Sequence, residues 1–340
     1  MILVRAPLRI SFVGGGTDLP DFYHSSPGRV LSVTIDKYVY VLINPTPLVH
    51  KFTIKYQKTE FVDSPEEIEN TRVRATLLDL DIRKTGIEIG SFADLPAKTG
   101  LGSSSSFTVA LLKGLNAYLG KNFDKGELAE AASRLEIELL KEPIGKQDQY
   151  AASFGGFNIF QFNEDDSVDV ESILLDYKKK LLLEDHVLLF FTGITRTASS
   201  VLTDQKSKID KNFDTYKKMA DSVFEFNELL LAGDIKSMAK MLHEGWERKK
   251  SLSSNISNSI IDELYKAGMN SGAMGGKILG AGGGGCIMFL ASPEKHAEVR
   301  KKMNEMFKKN NLSDGKEIPV RFVQSGTDIL LNNDNTLNGF

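Results

Sequence analysis

Four consecutive serines open the clearest helical pattern in the chain. The segment Pro96-Ala-Lys-Thr-Gly-Leu-Gly-Ser-Ser-Ser-Ser106 runs directly into Phe107 to Leu119, where Phe107, Leu111, Leu115 and Tyr118 keep to one stripe and Gly120 supplies a stop. One hydroxyl is enough to cap a helix, so two glycines and four hydroxyls exceed that need. A helix start exposes unpaired N–H groups at the positive end of its dipole, and this combination suits a polyphosphate. A serine-rich N-cap is the plainer alternative. The segment is no Walker A loop, because no Lys-Ser or Lys-Thr follows a glycine at the required spacing. A serine hydrolase using Ser103 to Ser106 with Lys98 would lack the Gly-x-Ser-x-Gly elbow.

Around this segment, strand and helix patterns alternate. Short β-branched and aromatic runs predict strands at 2–4, 10–13, 30–33, 38–43, 52–56 and 87–92. A helix is expected after Pro65, and another over Lys125 to Lys141, with Asp124 and Glu127 as its N-cap pair and Pro143 beyond its end. Phe157 to Phe162 reads as the last strand of this half, and the charged stretch Asn163 to Lys180 as a connection. In the second half the pattern predicts a buried strand at 187–191 and helices over 213–232 and 234–250. A glycine-rich segment then leads into the apolar run at 286–290, followed by a helix over 294–309 and a closing strand at 318–323. With 340 residues there is chain for about two domains, each able to bury a core. The expected class is α+β, divided into units of 1–180 and 181–340.

Composition removes several function classes. The 42 basic and 45 acidic side chains leave a formal charge of −3, without the basic footprint of a nucleic-acid binder. The single Cys286 allows no intrachain disulfide and no thiolate metal cluster, and in its apolar run it reads as a small core residue. Met1-Ile-Leu-Val-Arg5 lacks the features of a signal peptide, and no apolar run reaches the ~18 residues of a membrane span. The expectation is a cytoplasmic protein with no nucleic-acid partner and no membrane partner. A homodimer is left open.

Three further stretches carry chemistry. In Arg5-Ala-Pro-Leu-Arg-Ile-Ser-Phe-Val-Gly-Gly-Gly-Thr-Asp18, a strand runs into Gly14, Gly15 and Gly16, which are either a tight turn or bare backbone that a ligand can approach. Arg9 and Asp18 flank the glycines and favour a polar ligand. In Lys277-Ile-Leu-Gly-Ala-Gly-Gly-Gly-Gly-Cys286, glycines 280, 282 and 285 formally match GxGxxG, but the residues that follow read as a strand, so a strand–loop–strand fits better than a dinucleotide fold. Glu136 and Glu138 border the apolar stripe of the 125–141 helix. Asp148 sits in a loop between glutamines, where an acid could accept a substrate proton while a nearby glutamate holds a divalent cation.

Taken together, these motifs make the chain resemble the GHMP small-molecule kinases, the superfamily of galactokinase, homoserine kinase, mevalonate kinase and phosphomevalonate kinase. The Pro-x3-Gly-Leu-Gly-Ser-Ser stretch is the most specific. The opening motif and Gly145-Lys-Gln-Asp-Gln149 are similar to the sugar-kinase branch, and most similar to kinases of D-glycero-D-manno-heptose 7-phosphate. Thr192-Gly-Ile-Thr-Arg-Thr-Ala198, Trp246-Glu-Arg-Lys-Lys250 and the third glycine stretch fit the same branch.

The resemblance implies a two-domain fold, with an N-terminal ribosomal-S5-like domain, a C-terminal ferredoxin-like domain and the active site in the cleft between them. It implies ATP and Mg²⁺ as cofactors and a small-molecule sugar or sugar phosphate as substrate. It assigns ATP contacts to Pro96, Lys98, Gly100, Leu101, Gly102, Ser103, Ser104, Ser105 and Ser106. Ser104 and Glu136, the latter twelve positions before Asp148, would hold the metal. Asp148 would be the catalytic acid–base group, with Arg9 near the reacting hydroxyl. Gly14, Gly15, Gly16, Thr17, Asp18 and Gln147 would meet the sugar, and Gly280, Ala281, Gly282 and Gly283 would close over the phosphates.

One departure separates the chain from galactokinases. They carry Glu-His where this chain has Gly15-Gly16, which leaves room for a longer sugar. A sugar already bearing a phosphate would need a cation, and Arg196 is the first candidate, ahead of Lys249 and Lys250. The expected reaction is phosphorylation of the anomeric hydroxyl of a heptose 7-phosphate. A kinase for free fucose or galactose, and a non-catalytic sensor of the same fold, are the alternatives.

Overall fold

Strand runs that look separate in the sequence are continuous in the computed structural model, which describes residues 1–195 and 198–333. Strand β1 is Ile2–Val13 and β2 is Gly28–Pro45. They pair antiparallel along nearly their whole length, with slips beside Pro7 and before Val13. Asp36 and Lys37, which break the apolar pattern of β2, fall in the first slip, where Leu8 pairs with Ile35 and Pro7 with Tyr38. A bulge there absorbs both the polar pair and the missing proline N–H.

Strands β3 (Phe52–Lys55), β4 (Thr59–Val62) and β5 (Ile87–Ala93) extend this sheet beyond β2, with β3 parallel to β5. The helix after Pro65 is a single tight turn, followed by a longer helix at Thr71–Asp79 capped by Asn70. On its other part β2 pairs with β6 (Phe157–Phe162), which pairs in turn with β7 (Val168–Ser172). The charged stretch expected to be a connection therefore contains an edge strand. Its residues Val168-Asp-Val-Glu-Ser172 face water on one side and never form a continuous apolar run.

The Ser103–Tyr118 helix lies across β1 and β2. Close approach requires Gly114, where a β-carbon would stand 3.0 Å from Ile43. The Lys125–Ser133 helix has the expected capping box, then widens to a π-helical turn at Arg134–Leu139.

The second sheet is antiparallel, in the order β11-β8-β10-β9, from β8 (Val187–Phe191), β9 (Ala273–Ile278), β10 (Cys286–Ala291) and the short β11 (Lys316–Glu317). Helices Phe213–Ala232, Ile235–Lys250, Ser259–Asn270 and His296–Lys309 accompany it. Trp246, Tyr265, Phe289, Phe190 and Phe307 form an aromatic chain through its core.

The closing strand expected at 318–323 is absent. Phe322 makes one bridge to Ile35, and the chain continues to β12 (Asp328–Asn332), which pairs with β1. Residues 328–332 thus belong to the first sheet, so the division at 180 does not separate the sheets along the chain. The ion pair between Arg5 and Asp328 ties the two ends together. Among the described residues, no helix is long and apolar enough to cross a membrane.

Candidate active site

Where the two sheets' loops meet, a cleft of about 870 Å³ opens. The helix on its floor begins at Ser103, four residues before the apolar stripe does. Its N-cap is Gly102 in the left-handed region (φ 81°), and no side chain caps it among the described residues. The serines are therefore not spent on capping, and the first-turn N–H groups remain available at the positive end of the helix. Pro96, Lys98, Gly100, Gly102, Ser103, Ser104 and Ser105 line the cleft. Leu101 and Ser106 do not. The Leu101 side chain is buried in the core and its carbonyl accepts the Arg9 N–H, while the Ser106 hydroxyl donates to the Pro7 carbonyl at 2.8 Å. Helical periodicity turns Ser106 away from the cleft, while Leu101, ahead of the helix, packs into the core from the turn.

The third glycine stretch, a loop between β9 and β10, seats directly on the serine turn. A β-carbon at Gly280 would stand 2.8 Å from the Gly100 α-carbon, and one at Gly100 would stand 2.5 Å from the Leu279 carbonyl oxygen. Both glycines have positive φ. Backbone thus touches backbone, which only glycine permits here. Gly280, Ala281 and Gly282 line the cleft, whereas Gly283 gives its N–H to the Ile256 carbonyl.

Asp148 lies in the first turn of a helix, Gln147–Phe154, and not in a loop. The helix is eight residues long, and its apolar face of Tyr150, Ala151 and Phe154 spans too few turns to read as a helix in sequence. Arg9 on β1 grips this carboxylate with two bonds, Nε to Oδ1 at 2.8 Å and Nη2 to Oδ2 at 2.9 Å, and its Nη1 donates to the Gly100 carbonyl at 2.7 Å. The guanidinium is nearly buried while Asp148 keeps an open side toward the cleft. One side chain thereby fixes both the acid and the serine turn.

Asp18 stands beside this pair. It accepts from the Gly16 N–H at 3.1 Å, the Gln147 N–H at 3.2 Å and Gln147 Nε2 at 2.8 Å. Burial, and secondarily the charge of Asp148, push its carboxyl above the ordinary value. Gly15, Gly16, Asp18 and Gln147 line the cleft. Gly14 and Thr17 instead build the turn. A β-carbon on Gly14 would collide with the Arg29 carbonyl oxygen, and the buried Thr17 hydroxyl lies 2.9 Å from the Gly14 and Arg29 carbonyls.

The metal ligands expected at Ser104 and Glu136 do not form a cation site as arranged. Ser104 is exposed in the cleft. Glu136 is fully buried, and its oxygens accept from Arg72 Nε at 3.0 Å, Thr108 Oγ1 at 2.9 Å and Gln149 Nε2 at 2.6 Å. Arg72 also binds Glu142, and it lines the cleft. A guanidinium therefore already occupies one oxygen of the Glu136 carboxylate. Sequence spacing cannot reveal this, because Arg72 arrives from a helix 64 residues away.

Other cleft residues escaped sequence reading. Tyr56, Phe92, Leu95 and Phe107 form an apolar end, drawn from separate elements with no shared motif. Lys249, ranked behind Arg196, is buried and donates to the Gly280 carbonyl at 2.7 Å. Burial pushes its ammonium down to about 8. Lys250 pairs with Glu247 and Asp262 on the helix's outer side. Arg196 lies outside the described residues. Cys286 is buried, and burial pushes its thiol up, which leaves it inert as a nucleophile.

Fold and site together define a two-domain kinase of the GHMP type. The chain belongs to that family: the model of the GHMP kinase N-terminal domain matches residues 70–156 and that of the C-terminal domain residues 226–309. It is an ATP-dependent phosphotransferase. Its relatives include the D-glycero-alpha-D-manno-heptose 7-phosphate kinase of Campylobacter jejuni, 29% identical over 89% of this chain and 93% of that one. A galactokinase of Thermococcus kodakarensis is 25% identical over 90% of this chain and 94% of its own. Among solved structures, a D-glycero-D-manno-heptose 1-phosphate kinase from Bacteroides thetaiotaomicron superposes with a TM-score of 0.81 at 27% identity, covering 98% of this chain and 99% of that one.

Proposed function

We propose that the protein transfers the γ-phosphoryl group of ATP to a sugar hydroxyl, the acceptor being the anomeric hydroxyl of a heptose 7-phosphate. The observation that carries this reading is the Arg9–Asp148 fork, held between the uncapped serine turn on one side and Gly15, Gly16 and Asp18 on the other. Phosphoryl transfer asks for positioning and charge neutralisation more than for covalent chemistry. The N-terminus of the Ser103–Tyr118 helix would receive the phosphates, with Lys98 and Arg72 adding positive charge from the cleft wall. The apolar end at Tyr56, Phe92 and Phe107 would take the base. Asp148 would orient the acceptor hydroxyl and accept its proton as oxygen bonds to the γ-phosphorus and the bond to ADP breaks. Arg9 would hold Asp148 in place and aim it at the acceptor.

The heptose assignment is supported by two relatives whose names carry a heptose monophosphate, and by the glycine pair at 15–16, which removes side-chain bulk beside Asp18. The galactokinase relative keeps a free sugar as the second reading. An ATPase-coupled assay over a panel of free sugars and their phosphate esters decides between them. Turnover confined to free hexoses would overturn the phosphorylated acceptor, and no sugar-dependent turnover would overturn the kinase reading itself.

A further inference from the structure

Behind the Gly14–Gly16 turn lies a second cavity, of about 340 Å³. Gly15 and Lys249 line both this cavity and the catalytic cleft, so the two are neighbours across a partition of bare backbone. The fold does not demand glycine at 15. Its φ is not in the left-handed region, and an added β-carbon would meet nothing nearer than 3.7 Å. In contrast to Gly14, its missing side chain leaves space rather than relieving a clash.

Charges of both signs line this cavity, the exposed Lys218 and the half-buried Arg248 among them. Asp221, Glu225 and Glu244 stand exposed at the mouth, where Asp221 pairs with Arg29 and Lys217, and Glu244 with Lys240. The wall nearest the cleft carries Lys249 and Lys277, only 6% and 8% exposed. Lys249 donates to the Gly280 carbonyl, and Lys277 to the carbonyls of Ser11 at 3.0 Å and Phe12 at 2.9 Å. Neither has an ion-pair partner among the described residues. Each ammonium has three donors, so both retain unused N–H groups. Burying two unpaired ammonium groups side by side is costly unless an anion meets them. Trp246, which also lines this cavity and is 1% exposed, has an indole Nε1 without a hydrogen-bond partner among the described residues. A buried donor left unmatched points the same way.

We propose that this second cavity is the subsite for a phosphomonoester at the far end of the acceptor, with Lys277 and Trp246 Nε1 binding the phosphate and Lys249 bridging it to the cleft. A phosphomonoester carries close to two negative charges near neutral pH, enough to favour the charged forms of two buried amines whose ammonium states burial disfavours. The proposal rests on the sugar-kinase reading above and names where the second phosphate of that substrate sits.

The test compares kcat/KM for heptose 7-phosphate and for the free heptose, in the full chain and in Lys277→Met, Lys277→Arg and Trp246→Phe. Removing one charge-assisted hydrogen bond should cut the preference for the ester by about 10- to 100-fold in Lys277→Met, chiefly through KM, with partial recovery in Lys277→Arg. Trp246→Phe removes a neutral donor and should cut the preference about 3- to 10-fold. Should Lys277→Met fail to fold, Trp246→Phe decides alone. A wild-type protein that prefers the ester, with the preference intact in the folded variants, overturns the subsite while leaving the kinase reading in place. A wild-type protein indifferent to the phosphate overturns both the heptose 7-phosphate acceptor and the subsite.

Discussion

Arg9 and Asp148, 139 residues apart in the chain, are joined by two parallel hydrogen bonds of 2.8 and 2.9 Å. The pair gives Asp148 a rigid mount while leaving it an open face toward the cleft. Asp148→Asn should lower turnover by about two orders of magnitude or more, the range expected of a general base, with ATP affinity little changed. Steady-state kinetics with nucleotide-binding titrations check this. Near-normal turnover would remove Asp148 from the chemistry.

Glu136 is a clasp in the structure. It gathers Arg72, Thr108 and Gln149 in a fully buried position, while Glu138 two residues on is exposed. Glu136→Gln should cost about 2–4 kcal/mol of stability, since it leaves buried donors mismatched. Glu138→Gln should stay within about 0.5 kcal/mol. Urea unfolding midpoints measured with and without Mg²⁺ distinguish the two variants. Equal midpoints would show that the clasp contributes nothing, and an Mg²⁺-dependent difference would return Glu136 to the metal.

Gly280→Ala places a methyl group against the Gly100 α-carbon in a backbone conformation that alanine resists. The expected result is a loss of more than about 1 kcal/mol and a raised KM for ATP, because the two walls of the phosphate cradle are pushed apart. Gly15→Ala, which meets no such contact, should fold with wild-type stability. Thermal denaturation of the two variants gives the comparison.

Lys249 sets a pH dependence. Its ammonium is pushed from 10.5 to about 8, first by burial and then by Arg9, against the opposing pull of Asp18 and Asp148. A depressed lysine binds fewer protons folded than unfolded, so stability should rise with pH between about 8 and 10.5. Over the same range the empty site loses positive charge, and the KM for a phosphorylated acceptor should climb. In Lys249→Met the stability rise should disappear. A stability curve unchanged from wild type would show that Lys249 is charged in the folded protein throughout.

Local pattern carried a good part of the outcome. The Phe213–Ala232 and Ile235–Lys250 helices, the capping box at Asp124 and Glu127, and strands β6, β8 and β10 are written in neighbouring residues, because amphipathic spacing and caps act within a few positions. The glycine and serine motifs likewise marked the cleft, since bare backbone and exposed helix N–H groups are local requirements. What failed were features whose cause lies far along the chain. Strand β12 forms because β1 offers it an edge, and β7 because β6 does.

Within the site the same division holds. The chain alone proposed Arg9, Asp148 and the serine turn as working groups. Only the tertiary structure decided that Arg72 closes over Glu136, that Leu101 and Ser106 turn inward, and that Lys249 and Lys277 face a cavity rather than solvent. Residue type declares what a group can do wherever it stands. Burial and pairing, which decide whether it is free to do it, belong to neighbours that the backbone brings from tens or hundreds of positions away.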